Sequence, residues 1–362
     1  MPMKAFDAFR CCFILLLCLT TPARALEAIS LQLNFTHQFQ FAGYYAAIEQ
    51  GYYREAGLEV KLVEGSGVPL AEAAVLTGQA DYGVGNSTLL LSRMAGKPVV
   101  VLAVVFQHSP SVLLMRQHGG APDVRKLAGA AVMIGMPGGQ PAGADEVSLF
   151  LQKMGVAPGQ MQHLPPSYRV EDLINGKVEA IAAYSTNEPD YLDRAGFSYY
   201  QFTPRSAGID FYGDNLFTSE QELRRHPERA KAFRAASMRG WQYAMAHREQ
   251  MAQLIHASYS QRHDRAHLLY EAQQMELLLQ PVLVEPGYMN PQRWRHIADT
   301  YAAMGLLPAD ATASSAYKGF LYRPVPGADL GWLYLSLGVA GSLLAVAAAF
   351  HFSNLARERR RT

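Results

Sequence analysis

The sequence predicts an α/β protein of two lobes, each built on a mainly parallel sheet with helices on both faces. Three observations predict it. Strand and helix patterns alternate through the first half of the chain, the pattern restarts after residue 115, and a stretch ending one αβ unit is echoed at the end of another. With 362 residues, 49% of them hydrophobic, the chain is long enough for two real cores. A net charge of +1 and a body without a long basic run argue against nucleic acid as a partner.

The ends come first. Lys4 and Arg10 flank the start of an apolar run, Cys11–Leu19, and Ala23-x-Ala25 follows. Residues 1–25 read as a secretory signal peptide cleaved after Ala25. All three cysteines lie inside it, so the mature chain has no disulfide, thiol nucleophile or cysteine-held metal. At the other end, LGWLYLSLGVAGSLLAVAAAF (330–350) is uncharged and, as a helix, spans roughly 30 Å, a bilayer core. Arg357 and Arg359–Arg361 in the short basic tail 351–362 assign that side to the cytoplasm. The expectation is a single-pass protein of the inner membrane with its body, 26–325, in the periplasm.

Within the body, ISLQLN (29–34) alternates as a strand, FAGYYAAIEQGYYREAG (41–57) has helical spacing closed by Gly57, and LEVKLVEG (58–65) is a strand. PLAEAAVLTG (69–78) opens on Pro and closes on Gly, as short helices do. DYGVG ends a strand, STLLLSRMAGK is a helix and PVVVLAVV a buried strand. The second round has a turn and strand in RKLAGAAVMIG, a helix over 143–156, and a helix then a strand in VEDLINGKVEAIAAY. Signals from about 220 to 305 are helical, and 306–329, rich in Pro, Gly, Ala and Ser, reads as a linker.

The echo lies between LTGQADYGVGNST (76–88) and INGKVEAIAAYST (174–186): Gly78 answers Gly176, Ser87 answers Ser185 and Thr88 answers Thr186. Ligands of open α/β sheets bind off the carboxyl ends of strands. Two such ends in two lobes would face one cleft, the plan of a two-lobed solute-binding protein that closes about a hinge.

NFTHQFQFAGYYAAIEQGYYREAGLEVKLVEG (34–65), GQADYGVGNS (78–87), AGKPVVVLAVVFQHSP (95–110), YSTNEP (184–189) and GIDFYGDNLFTS (208–219) carry a resemblance over about 28–305. The chain resembles the periplasmic substrate-binding proteins for thiamine-pyrimidine precursors, a group related to the fungal thiamine pyrimidine synthases and, more distantly, to alkanesulfonate-, taurine- and riboflavin-binding proteins. The resemblance implies a type II-like periplasmic binding protein fold. Its first lobe takes about 26–115 and 210–305, its second about 116–209. An aminopyrimidine-like small molecule would lie between them, held by aromatic stacking, a carboxylate and amides. The wording THQFQFAGYYAAIE and YSTNEP looks most like versions fused to sensor kinases. An ABC permease or a separate signalling protein is therefore the expected partner, with a sulfonate or a flavin as the alternative ligand.

The site residues follow. Glu188 can accept two N–H bonds from an aminopyrimidine edge; otherwise it is a helix-start acid behind Asn187 as N-cap. Tyr184 is a stacking or hydroxyl contact, or a strand-end aromatic. Phe35 stands where the family usually has Trp and could stack on the ligand or join the core. His37 and Gln40 follow in the loop. Of the adjacent Tyr44 and Tyr45 at least one is scaffold, and Tyr45 is the candidate contact. Asn86 and Ser87 are helix-entry donors or simple caps, and Gly138 and Gly139 in GMPGGQPAG a ligand-facing turn or a plain one. Tyr212 and Asp214 mark the return crossover. An enzyme is not expected, with a thiamine pyrimidine synthase-like protein as the alternative. Aligned with the synthases, Gly85 falls at their lysine and Leu89 at their histidine, so neither group is present. No metal spacing appears and no cofactor is expected.

Overall fold

The computed structural model describes residues 25–65, 71–135, 143–165, 167, 169–323 and scattered positions from 336 to 357. The expected signal peptide up to residue 24, Gly138 and Gly139, and most of the expected membrane span lie outside the described residues. Among the described residues no helix is long and apolar enough to cross a membrane. The chain divides into Met1–Tyr322 and Arg323–Thr362, and the first unit carries two five-stranded sheets.

The first sheet holds β1 (Glu27–Gln32), β2 (Leu58–Val63), β3 (Tyr82–Gly85), β4 (Val99–Val104) and, from far along the chain, β10 (Asn215–Ser219), in the order β2-β1-β3-β10-β4. The second holds β5 (Ser111–Arg116), β6 (Ala131–Met133), β7 (Gln162–His163), β8 (Ala180–Tyr184) and β9 (Tyr199–Phe202), in the order β7-β6-β8-β5-β9. One strand in each departs from the parallel plan: β10 is antiparallel to β3 and β4, and β5 to β8 and β9. These are the two strands by which the chain arrives from the other sheet. The register shows why they run backwards. Asn215 opens β10 beside Gly85 and Val104, the last residues of β3 and β4, and Ser111 opens β5 beside Tyr184, the last of β8. The chain therefore enters each sheet at the end where the parallel strands finish. Both crossings, 105–110 and 203–214, lie beside the strand-end loops.

The helices that position the site are α1 (Ala42–Glu49), α2 (Leu89–Met94), α3 (Glu146–Lys153), α4 (Glu188–Arg194), α5 (Pro227–Ala246), α6 (Arg248–Ser258), α7 (Arg265–Leu279) and α8 (Pro291–Ala303). The single helix expected over 41–57 is three pieces: a 3-10 turn at Phe39–Phe41, α1, and a short helix at Tyr52–Glu55. Gly51, at φ 75°, adopts the left-handed conformation that ends a helix. The expected linker over 306–329 is also corrected for its described part, 306–323. Phe320 is fully buried, its carbonyl accepts from the Val101 N–H (2.9 Å), and Tyr322 N–H returns to the Val101 carbonyl (2.9 Å). That segment covers the open edge of β4, where unpaired backbone groups would otherwise face solvent.

One core cluster packs α1, α5, α6 and α7 on the first sheet, with Tyr44, Phe106 and Trp241 among its fully buried rings. A second runs from the first sheet to the second through α8: Trp294, Ile297 and Tyr301 pack among Val99, Leu113 and Phe150. Burying each such side chain contributes about 1.5–3 kcal/mol.

Candidate functional site

Beyond β1 the chain forms the opening loop. Phe35 is half-buried against the first core, and its carbonyl accepts from the Gly65 N–H (2.9 Å). The His37 N–H donates to Glu64 Oε1 (2.6 Å), and its Nδ1 lies 2.8 Å from the Tyr45 hydroxyl. Burial lowers the His37 pKa, with Glu64 opposing. Tyr45 is fully buried, and its ring packs on Tyr259 of the turn after α6, centroids 4.1 Å apart. Gln40, buried in the 3-10 turn, donates through Nε2 to Asp214 Oδ2 (2.8 Å), while Asn34 Nδ2 reaches Asp214 Oδ1 (3.3 Å). The opening loop is thereby tied to the return crossover. Burial pushes the Asp214 carboxyl up to about 7.

The two strand-end loops approach each other. Asn86 and Thr88, after β3, and Tyr184, at the end of β8, line a cavity of about 20 Å³ together with Ser111, Asp145, Glu146 and Tyr301. Asp145 caps α3 by accepting from the Ser148 N–H (2.9 Å), which fixes Glu146 at the helix start. Glu146 accepts from Ser109 Oγ (2.5 Å), and burial raises its carboxyl to about 7. Asn86 Oδ1 accepts from the Thr88 N–H (3.0 Å). Ser87 turns away: its hydroxyl donates to the Tyr212 carbonyl (2.8 Å), and the Tyr212 hydroxyl accepts from the Asn290 N–H (3.0 Å). Ser87 and Tyr212 thus hold the crossover rather than the cavity wall. A Cβ added to Gly85 would stand 2.9 Å from Leu89 Cδ1, so Leu89 occupies the space into which a side chain at 85 would start.

At the start of α4, Glu188 accepts from the Tyr184 N–H through Oε2 (2.8 Å) and from Asn187 Nδ2 through Oε1 (3.0 Å). The residue keeps partial exposure, yet burial of its carboxyl raises the pKa. Asn187 occupies the N-cap position, but its side chain makes no cap bond among the described residues; its Oδ1 faces His267 Nε2 (2.8 Å). The simple capping role open to it in the sequence is therefore not the one it takes.

α7 brings against these loops two buried polar residues that the sequence did not mark. Glu271 is fully buried, accepts from the Phe39 N–H (2.8 Å) and leaves Oε1 without a partner among the described residues. Burial drives its pKa well up, with Glu188 and Asp190 adding to the shift. His267 lies one turn earlier on the same face. The available signal was RAHLLYEAQ: two polar residues four apart sit in the register of Leu268 and Ala272, both of which are buried. The structure thus gathers His37, Gln40, Tyr45 and Asp214 on one side, and Asn86, Tyr184, Asn187 and Glu188 along the strand ends.

A profile of the NMT1/THI5-like family matches residues 38–251. The chain belongs to this family. Members and relatives differ in what they are named for. Riboflavin-binding protein RibY of Chloroflexus aurantiacus is 25% identical over 330 residues, covering 82% of this chain and 90% of RibY. The formylaminopyrimidine-binding protein of Halalkalibacterium halodurans is 21% identical over 313 residues, 81% of this chain and 90% of that one. A putative thiamine biosynthesis protein of Haemophilus influenzae is 22% identical over 300 residues, covering 82% and 93%. Among solved structures, the alkanesulfonate-binding protein SsuA of Xanthomonas axonopodis, bound to MOPS, superposes with a TM-score of 0.60 at 16% identity, over 83% of this chain and 98% of SsuA. The Candida albicans CA3427 product, described as having the generic periplasmic binding protein fold, gives the same TM-score at 16% identity over 82% and 97%. The NMT1/THI5-like assignment and this fold agree with the resemblance carried by the opening motif.

Proposed function

We propose that the chain is a receptor that binds a small heterocycle between its two sheets, a pyrimidine precursor of thiamine, without transforming it. The observation that carries this reading is the shared cavity: the end of β3 supplies Asn86 and Thr88, the end of β8 supplies Tyr184, and the two strands belong to different sheets. Asn187 and Glu188 stand behind Tyr184, Glu188 accepting from the Tyr184 N–H and from Asn187 Nδ2, and a carboxyl and an amide are what an aminopyrimidine edge requires. A relative named for formylaminopyrimidine supports the ligand class. Gly85 and Leu89 support binding without chemistry.

A cavity of about 20 Å³ has room for about one water. A pyrimidine therefore enters only when the sheets part about 105–110 and 203–214, a hinge of two chain crossings. In this reading the body lies in the periplasm, tethered to the inner membrane by 330–350, and hands ligand or signal to an ABC permease or a separate signalling protein.

The test is a thermal-shift panel on purified residues 26–323. Hydroxymethyl- or formylamino-pyrimidine should stabilise the protein, by about 2.7 kcal/mol at a hundredfold excess over Kd. Glu188→Gln should lose roughly 10- to 100-fold in affinity, the worth of a hydrogen bond to a charged group, with Tm little changed. A shift with riboflavin or an alkanesulfonate and none with a pyrimidine would move the ligand class. Unchanged affinity in Glu188→Gln would reduce the loop to a structural turn.

A further inference from the structure

α7 and α4 meet in a buried polar chain. His267 is fully buried, with its ring stacked against Tyr191 (4.4 Å between centroids) and His263 (4.7 Å). Its Nδ1 lies 2.7 Å from Asp190 Oδ2, its Nε2 lies 2.8 Å from Asn187 Oδ1, and Asn187 Nδ2 lies 3.0 Å from Glu188 Oε1. Arg194 pairs with Asp190 (2.9 Å) and with Asp264 (2.7 Å), and the Tyr191 hydroxyl meets His263 Nδ1 (2.6 Å). The charged and titratable groups around His267 are thus Asp190, Tyr191, Arg194 and, beyond Asn187, Glu188 from α4, and His263, Asp264, Tyr270 and Glu271 from α7 and the turn before it. α7 packs with the first sheet's helices and α4 follows β8 of the second, so the chain spans the two lobes.

Counting protons along it leaves two arrangements. Asp190, held by Arg194, is an acceptor, so His267 Nδ1 carries hydrogen. If Nε2 also carries hydrogen, the ring is a cation donating to Asn187 Oδ1, and Asn187 Nδ2 donates to an ionised Glu188. If Nε2 is bare, it accepts from the amide turned over. The amide oxygen then faces Glu188, which must carry the proton and donate it. The two arrangements differ by one proton lost from Glu188, one gained by His267 and a half-turn of an amide whose two ends have the same shape. The net charge is the same in both.

We propose that His267 is a positioning residue that decides, through Asn187, whether Glu188 meets its ligand as a carboxylic acid or as a carboxylate. The inference rests on the reading of Glu188 as the ligand-facing carboxyl. Burial lowers the pKa of His267 and raises that of Glu188, so both groups favour the neutral arrangement before ligand arrives. An amino group delivered to Glu188 favours the charged one, and His267 is then the site that takes up the matching proton.

The test is infrared difference spectroscopy of the full-length chain across pH, following the acid carbonyl stretch, with Glu188→Gln assigning the Glu188 band. His267→Gln, neutral at every pH, should displace the midpoint of that band by about one pH unit or more, the size at which two sites titrate jointly. Asn187→Leu, on a half-buried residue, should displace it as well by cutting the connection, and it serves if the buried substitution does not fold. Hydroxymethyl-aminopyrimidine should abolish the acid band in the wild-type chain. An identical midpoint in wild type, His267→Gln and Asn187→Leu overturns the proposal, whether or not the pyrimidine binds. A displaced midpoint without pyrimidine binding supports the relay and removes the ligand assignment instead.

Discussion

Asp214 shows how a single buried carboxyl sets a pH dependence. It is enclosed by Gln40 and Asn34, and its pKa of about 7 stands above the value of about 4 that an aspartate has in an unfolded chain. The folded state therefore binds this proton more tightly. Its contribution to stability is present in full below about pH 4 and is lost as pH rises through about 7, with a slope of roughly 1.4 kcal/mol per pH unit. Asp214→Asn carries no such proton. In urea denaturation from about pH 4 to about pH 8, the variant should gain on the wild type as pH rises; parallel curves would show that Asp214 does not titrate in this range. At this scale the sequence was informative where a residue acts beside its own strand or loop. Glu188 was a candidate on that ground, its partners Tyr184 and Asn187 being chain neighbours, while Gln40 and Asp214, which pair across the chain, were candidates only because one follows the opening motif and the other marks the return crossover. His267 and Glu271 were not, because their partners Asn187 and Phe39 lie far away in the chain and nothing local marks the pairing.

Helix packing decides what happens at Gly240. α5 crosses α1 at Gly43, and a Cβ at Gly240 would stand 2.0 Å from the Gly43 carbonyl oxygen and 2.8 Å from Ala47 Cβ. Neither atom is the free end of a flexible side chain, so the helices must separate. Alanine is the better helix former by about 1 kcal/mol, yet Gly240→Ala should destabilise the protein by about 1–3 kcal/mol, the usual cost of overpacking. Chemical denaturation measures it, and a stabilised variant would mean that propensity outweighs the crossing. The helical spacing over 41–57 revealed the elements but not the break at Gly51, because a helix pattern runs on unaltered through one left-handed residue. The Pro- and Gly-rich composition of 306–329 likewise concealed the contact of Phe320 and Tyr322 with β4, which depends on an edge that only the assembled sheet presents.

The two sheets are joined by more than the two crossings. α8 carries a core that is continuous from Val99 of the first sheet to Leu113 of the second and Phe150 of α3. The two sheets therefore share apolar packing at one side, and ligand-free residues 26–323 should melt in a single calorimetric transition. Two resolved heat-absorption peaks would show that the sheets unfold separately and that α8 does not bind them together.

The sequence alone determined the alternation of strands and helices, their restart after residue 115, and the family, through an opening motif whose residues are contiguous. Hydropathy and periodicity record such things because they are properties of neighbouring residues. Only the tertiary structure decided which strand of each sheet runs backwards, how the two strand ends share one cavity, and that Asn187 serves His267 rather than the first turn of α4. Those outcomes depend on which distant groups packing brings within hydrogen-bonding reach. Burial then makes each pairing costly to leave unmade, and no local pattern carries that information.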